Sequence, residues 1–593
     1  MQPAPVCAQS SAWRQADATG LGGAHFQVAA GHIGAYGAEV TPDDLASKLL
    51  EVVTRFHPMD ESLFGLVECD GRLPDLSEEA QDEEVAILRE VARQAGELDV
   101  SGMDEAALQT SDLVRYGAPA RADAAAVPSI EFTVGDFQGA PVAWVLAMMP
   151  KAPLGTHEQA NAYLARLEGL PAFLETAAAR HLRGVDAGRT PVRRLVQAAI
   201  AQLDAFLADP ALGGLRRTRA QDASFAEHVD RAIDGAVRPA LARYRETLSS
   251  RLVRAGRDDM HCGLCRLPDG DAMYAALARV HTSIERAPQE LHRTGLEIAE
   301  RIKDEIRDLA WRVWHISDFS RIVERLRTDP ELRYHDGQEI LSDVRAALAR
   351  AEDAAPRWFG VLPESSCRIE SVPAVEEGSA PPYYMPPALD GSQPGTCYVN
   401  TSRPAERSRA DSESTAFHET VPGHHLQLTI AHSLPDLSLP RRVLHDTACA
   451  EGWALYAERL ADEMELYSSD LARLGMLTAD MWRAGRLVVD TGIHHLGWDR
   501  EQAIDWFIAN VPLPRLVIEA EVNRYITYPG QALAFMVGRL ELERLRREAA
   551  ARLHGRFSVR AFHDVVLRAG PLPLAAMAGV VGRWIESTEG SAG

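Results

Sequence analysis

The sequence predicts a mainly α-helical protein in which a small β element sits between two helical halves. Three observations carry this expectation. Long stretches rich in Ala, Leu, Arg and Glu repeat apolar residues at intervals of three and four. The segment from Cys367 to Arg403 breaks that period and is rich in Pro, Gly, Tyr and Ser. Beyond Ser412 the helical period returns and continues to the end.

In chain order, residues Met1 to Ala30 lack a charged start followed by an apolar core, so no signal peptide is expected. Cys7 follows no apolar stretch, which argues against a lipid anchor, and Gly20 to Gly23 read as a flexible leader. Ser77 to Glu90, rich in Glu and Asp, reads as a solvated helix start. The apolar run Ala140 to Met149 is closed by Pro150 and Lys151 and is shorter than the roughly 18 residues a membrane span needs. Helices are expected over Glu158–Leu182, Pro191–Ala208, Phe225–Ala255 and Ser283–Trp314, with Thr156 and Ser224 as caps. Cys262 and Cys265 beside His261 form half of a zinc ribbon without a second pair, so ordinary thiols are expected. Pro381-Pro382-Tyr383-Tyr384, Asp390-Gly391, Pro394-Gly395 and Cys397 to Asn400 mark short strands and turns. The division expected is a helical subdomain over 1–365 and a second over 366–593 holding the β element and the chemistry.

Composition narrows the function. Of 593 residues, 46 % are apolar and 25 % charged, which is ordinary for a globular protein. A net charge of −23 argues against a nucleic-acid partner. The seven cysteines, an odd number, read as reduced thiols, and with no membrane span in view the expected location is cytoplasmic. There is no Gly-x-Ser-x-Gly elbow and no phosphate-binding loop.

The chemistry concentrates in Phe417-His418-Glu419-Thr420-Val421-Pro422-Gly423-His424-His425-Leu426-Gln427. A His-Glu-x-x-His helix sets two imidazoles one turn apart on one zinc ion, with the Glu facing water. Here the second His comes six or seven positions after the first. On an unbroken helix six positions put the rings on opposite sides, and seven separate them by about 10 Å. Pro422-Gly423 lies inside the interval, and proline kinks a helix while glycine accepts unusual dihedrals. A bulge there would return His424 to the ligand position, so His424 is preferred, with His425 as the alternative. Glu451 lies 27 residues further on, in an apolar helical segment where a bare carboxylate is costly and a cation would relieve it. The candidate metal ligands are therefore His418, His424 and Glu451, and the expected ion is Zn2+. Glu458, on the same face as Glu451, and Asp446 are candidates to orient the ligands.

These segments resemble the bacterial domain-of-unknown-function family 885 (DUF885). The likeness rests on His418 to Gln427, on Asp70-Gly71-Arg72-Leu73-Pro74-Asp75-Leu76-Ser77, on Glu451-Gly452-Trp453-Ala454-Leu455-Tyr456, on Asp490-Thr491-Gly492-Ile493-His494, and on Arg524-Tyr525 with Pro529-Gly530-Gln531-Ala532. The resemblance implies a large helical zincin-like fold of the gluzincin type, with two helical halves around a cleft and a small sheet beside the active-site helix. The implied activity is that of a zinc peptidase. Glu419 would be the general base. Arg524, Tyr525 and Tyr528 are candidates to stabilise the oxyanion, Tyr525 first by its place in the family pattern. Asp490, one turn from His494, would orient that ring, and His494 would then contact substrate or serve as packing. Arg524 is alternatively a substrate-carboxylate anchor. The strand Gly395 to Asn400 is expected as an edge that pairs with substrate backbone, with Tyr398 and Asn400 on its rim. The expected substrate is a short peptide, with a small non-peptide amide as the alternative and a non-catalytic metal-binding protein as the third reading.

Overall fold

The structure, a computed structural model, describes residues 40–590 apart from 60–70, 138, 220–221, 374–380, 390–392 and 436. The readings of Cys7, of the glycines at 20–23 and of the leader therefore lie outside the described residues, as does the Asp390-Gly391 turn. The protein is mainly helical with one small mixed sheet, as the periodicity predicts. The helices that bear on the argument are numbered here in chain order.

α1 (His157–Asp186) opens on the expected cap, where the Thr156 hydroxyl accepts from the Gln159 amide and the Gln159 side chain accepts from the Thr156 amide. At the helix beginning with Ala223 the cap is Asp222 rather than Ser224, because the Asp222 carboxylate takes the Phe225 amide. The expected helix over Ser283–Trp314 is one helix that starts five residues later than expected. α2 (Gly270–Thr282) ends at Ser283, in the left-handed region at φ 49°, and α3 (Pro288–Trp314) starts afresh with proline in its first turn.

The apolar residues form two cores. The larger runs from Leu45 to Ile585 and takes in the helices on both sides of the β element. The smaller gathers Val134, Leu170, Leu203 and Leu248 in the N-terminal half.

The β element is a three-stranded sheet of β1 (Arg368–Ser371), β2 (Tyr383–Met385) and β3 (Thr396–Val399), in the order β1-β3-β2. β1 runs parallel to β3, with Ile369 opposite Cys397, and β2 runs antiparallel, with Tyr384 opposite Cys397. β3 is thus the middle strand, paired on both sides, and the expectation of a free edge there is corrected. Tyr398 stacks on Tyr383 with ring centroids 5.0 Å apart, and Asn400 is buried, its side-chain oxygen accepting from the Ser402 amide at 3.1 Å.

Six further helices build the site: α4 (Ser412–Glu419), α5 (His424–Ser433), α6 (Thr447–Glu463), α7 (Asp470–His494), α8 (Arg515–Thr527) and α9 (Ala534–Leu553). α6 and α9 meet backbone to backbone. A methyl group on Gly452 would strike the Gly538 backbone, and one on Gly538 would strike the Ala448 carbonyl oxygen.

Candidate metal centre

The candidate metal motif is two helices joined by a corner, a larger departure from one helix than the expected bulge. α4 stops at Glu419, the chain turns through Thr420 to Gly423 across a cis Val421–Pro422 bond, and α5 starts at His424. The corner is pinned by hydrogen bonds. The Thr420 amide donates to the Ala416 carbonyl at 2.9 Å, and the Trp453 indole donates to the Pro422 carbonyl at 2.9 Å. Glycine is required at 423, since a side-chain carbon there would collide with the carbonyl oxygens of Phe417 and His418.

This corner brings the His418 and His424 rings edge to face, with centroids 4.9 Å apart. Glu451, from α6, completes the group. Its Oε2 lies 3.7 Å from His418 Nε2 and 3.5 Å from His424 Nε2, and one ligand atom from each residue falls within 4.8 Å of the others. Ligands about 2 Å from one zinc ion in a tetrahedron stand about 3.3 Å apart, close to these separations. His418 Nδ1 donates to Glu458 Oε1 at 2.8 Å, which fixes the tautomer and turns Nε2 towards Glu451. Glu458 is itself held by the Ser414 hydroxyl and is wholly buried. His424 Nδ1 is buried with no hydrogen-bond partner among the described residues.

His425 faces elsewhere. Its Nε2 donates to the Ser365 carbonyl at 3.0 Å, and its Nδ1 accepts from the Tyr384 hydroxyl at 2.9 Å. Both nitrogens are thereby occupied, so the possible metal group takes His424.

The electrostatics fit a cation. Three carboxylates, Glu419, Glu451 and Glu458, surround two imidazoles. Burial alone would depress His418, yet Glu451, Glu458 and Glu419 hold its imidazolium up to about 9. Burial would likewise raise Glu451, yet the two imidazoles hold it well below the usual carboxylate range. Glu419, part-exposed beside the group, is raised chiefly by burial, with Glu451 adding to the shift and the two imidazoles opposing it. Burial raises the Cys397 thiol on the middle strand, and the charge of Glu419 adds to the shift.

The remaining expected residues gather elsewhere. Tyr525, on α8, is wholly buried; its hydroxyl donates to Glu521 at 2.8 Å and accepts from Trp482 and Arg486, each at 3.2 Å. Arg524 pairs with Glu521 at 2.9 Å and donates to Gln531 at 2.6 Å. Tyr528 packs its ring edge to face against His281. His494, also wholly buried, accepts from the Leu264 amide at 3.2 Å and donates to the Tyr525 carbonyl at 3.0 Å. Asp490 takes the Tyr274 hydroxyl at 2.6 Å and the Gly530 amide at 3.1 Å, in place of the expected partner His494. Asp446 caps α6 by accepting the Cys449 amide at 2.8 Å.

One residue that sequence reasoning passed over stands closer to the centre. Arg486, on α7, lies 4.3 Å over the Phe535 ring, and Phe535 stacks on His418 at 6.4 Å. Its signal was a charge among small and apolar neighbours, Ala484-Gly485-Arg486-Leu487-Val488-Val489, as for Glu451.

The chain is similar to two solved structures. One, from Colwellia psychrerythraea, shares 25 % identity with a TM-score of 0.84, covering 93 % of this chain and all of that one. The other, from Shewanella oneidensis, shares 16 % identity with a TM-score of 0.71, covering 91 % and 99 %, and bears on the fold alone. Both are described as candidate lipoproteins, the second of unknown function. Such proteins belong to the cell envelope, and this finding overturns the cytoplasmic expectation, which rested on the cysteines, on the lack of a membrane span and on the reading of N-terminal residues outside the described part. No helix among the described residues is long and apolar enough to cross a membrane. No curated protein matches the sequence. The family described as "Bacterial protein of unknown function (DUF885)" matches residues 58–581, nearly the whole chain, and the protein belongs to that family.

Proposed function

We propose that the protein is a zinc-dependent hydrolase of the cell envelope that cleaves amide bonds in short peptides. The observation that carries this reading is the convergence of His418, His424 and Glu451 with Glu419 beside them. Two imidazoles and one carboxylate are a donor set of catalytic zinc sites, which leave a fourth position open. A zinc ion held there supplies Lewis-acid charge and makes water a nucleophile near neutral pH.

The chain's own residues do the rest. Glu458 and Ser414 hold His418 in the orientation that presents Nε2. Glu419, whose carboxyl is raised by burial, takes a proton from the attacking water and passes it to the leaving amine nitrogen. A carbon–oxygen bond forms, the carbon–nitrogen bond breaks, and the products are a carboxylic acid and an amine. Tyr525, Arg524 and His494 receive no part in the chemical step, because their polar atoms are engaged with Glu521, Gln531 and backbone.

The test is the purified protein and its Glu419→Gln variant, each assayed for bound metal by mass spectrometry and for cleavage of a short-peptide library. The expected result is one zinc per chain in both forms and turnover in the first alone. Absence of metal in both forms, or equal turnover in both, would refute the reading. Metal without turnover in either form would favour a binding protein.

A further inference from the structure

We propose that Arg486, with Arg483 beside it, anchors a free carboxylate of the substrate, so that the centre acts on peptides at their C-terminal end. The inference rests on the hydrolase reading above and adds the substrate class. α7 carries Trp482, Arg483 and Arg486 within one turn of each other. Arg486 is 5 % exposed, is stacked 4.4 Å from the Trp482 ring, and lies over Phe535, which in turn stacks on the ligand His418. Arg483 is part-exposed and lies over the same Trp482 ring, 4.6 Å from its centroid.

The charge around Arg486 is unbalanced. Arg486 and Arg524 share the one carboxylate of Glu521, at 3.2 and 2.9 Å. Burial first, then repulsion from Arg524 and Arg483, weakens the hold of Arg486 on its proton. Arg486 Nη1 and Arg483 Nε are buried with no hydrogen-bond partner among the described residues. A buried donor on a charged group is costly to leave unmade. Tyr525 and Glu521 fix the other side of Arg486, so its free nitrogen has a set direction. One carboxylate supplies two acceptor oxygens, one for each of these donors. Arg524, each of whose three nitrogens already donates to Glu521 or Gln531, is passed over as the anchor in favour of Arg486.

The experiment measures direct binding, which is independent of turnover. N-acetylated dipeptides ending in small, aromatic, acidic or basic residues, each as free acid and as C-terminal amide, are titrated calorimetrically into full-length zinc-loaded Glu419→Gln protein. A charge-assisted contact of this kind predicts that at least one acid binds about 10-fold or more tighter than its amide. Adding Arg486→Gln brings that ratio to near one. Arg486→Lys, which keeps a charge opposite Glu521, recovers part of it and serves if the glutamine variant melts early. Acids and amides that bind alike, dipeptides that bind in no form, or a preference that survives both substitutions would overturn the inference. Turnover of the same acids by the unaltered protein tests the hydrolase reading separately, and failure there leaves the binding ratio standing.

Discussion

Removing Glu458 tests how far the centre depends on the orientation of one ring. Glu458 donates nothing to the proposed ion. It holds His418 Nδ1 at 2.8 Å with one oxygen and the Ser414 hydroxyl with the other, from a wholly buried position. Partners of this kind are worth about 10–100-fold in metal affinity, or about 1.4–2.7 kcal/mol. Glu458→Ala therefore weakens zinc by that factor. It also costs about 1–3 kcal/mol of stability, because the buried Ser414 hydroxyl loses its acceptor. Glu458→Gln is the milder change. Its amide oxygen still accepts from His418, its nitrogen can donate to Ser414, and only the negative charge is lost. Competition with a chromophoric chelator at fixed pH reads the affinities, and thermal melting reads the stabilities. The expected order of zinc affinity is unaltered protein, then glutamine, then alanine. An alanine variant that binds zinc like the unaltered protein would refute the argument that Glu458 sets the ring.

Other substitutions separate the parts of the site. His424→Ala loses metal, while His425→Ala keeps its metal stoichiometry and costs about 1–3 kcal/mol in melting experiments, because the Ser365 carbonyl and the Tyr384 hydroxyl lose a partner. Gly423→Ala sets a methyl against two carbonyl oxygens and is expected to cost more than about 3 kcal/mol and to abolish stoichiometric metal, read by melting and metal analysis together. Asp490 gives a pH test. Burial pushes its carboxyl up to about 7, above the unfolded value of about 3.9. Between those values the folded chain keeps a proton that the unfolded chain has released, so the stability contributed by the site is full below about pH 4 and lost as pH rises to 7. Asp490→Asn, which retains an acceptor for Tyr274 and Gly530 but cannot ionise, raises the melting temperature at pH 8 and changes it little at pH 4. An equal shift at both pH values would count against this account.

The sequence showed the fold class and much of the possible metal group, because both follow from local chemistry. Apolar periodicity marks helices wherever they pack. Pro422-Gly423 marks a break whatever follows it, and a lone Glu in an apolar helix demands a partner. Each signal is readable within a dozen residues. What was illegible depends on contacts distant in sequence. Asp490 and His494 are one turn apart on α7, yet Tyr274, from α2, takes the carboxylate. β3 reads as a strand from its residues, but the approach of β1 and β2 makes it the middle one. Arg486 carries the same local mark as Glu451. Its relation to His418 runs through Phe535, on α9, which no spacing rule connects to either.

The meeting of Gly452 with Gly538 bears on how an ion would come and go. Glu451 precedes the point where α6 rests on α9 with no side chain between them, and Trp453, on its other flank, grips the corner that presents His424. Neither helix can slide or roll there without backbone striking backbone. The carboxylate is thus aimed by the scaffold before any cation arrives, unlike small zinc modules whose folding and loading are one event. Stripping the ion with a chelator is expected to leave the far-ultraviolet circular dichroism unchanged, and the emptied protein should reload as fast as an ion can reach it.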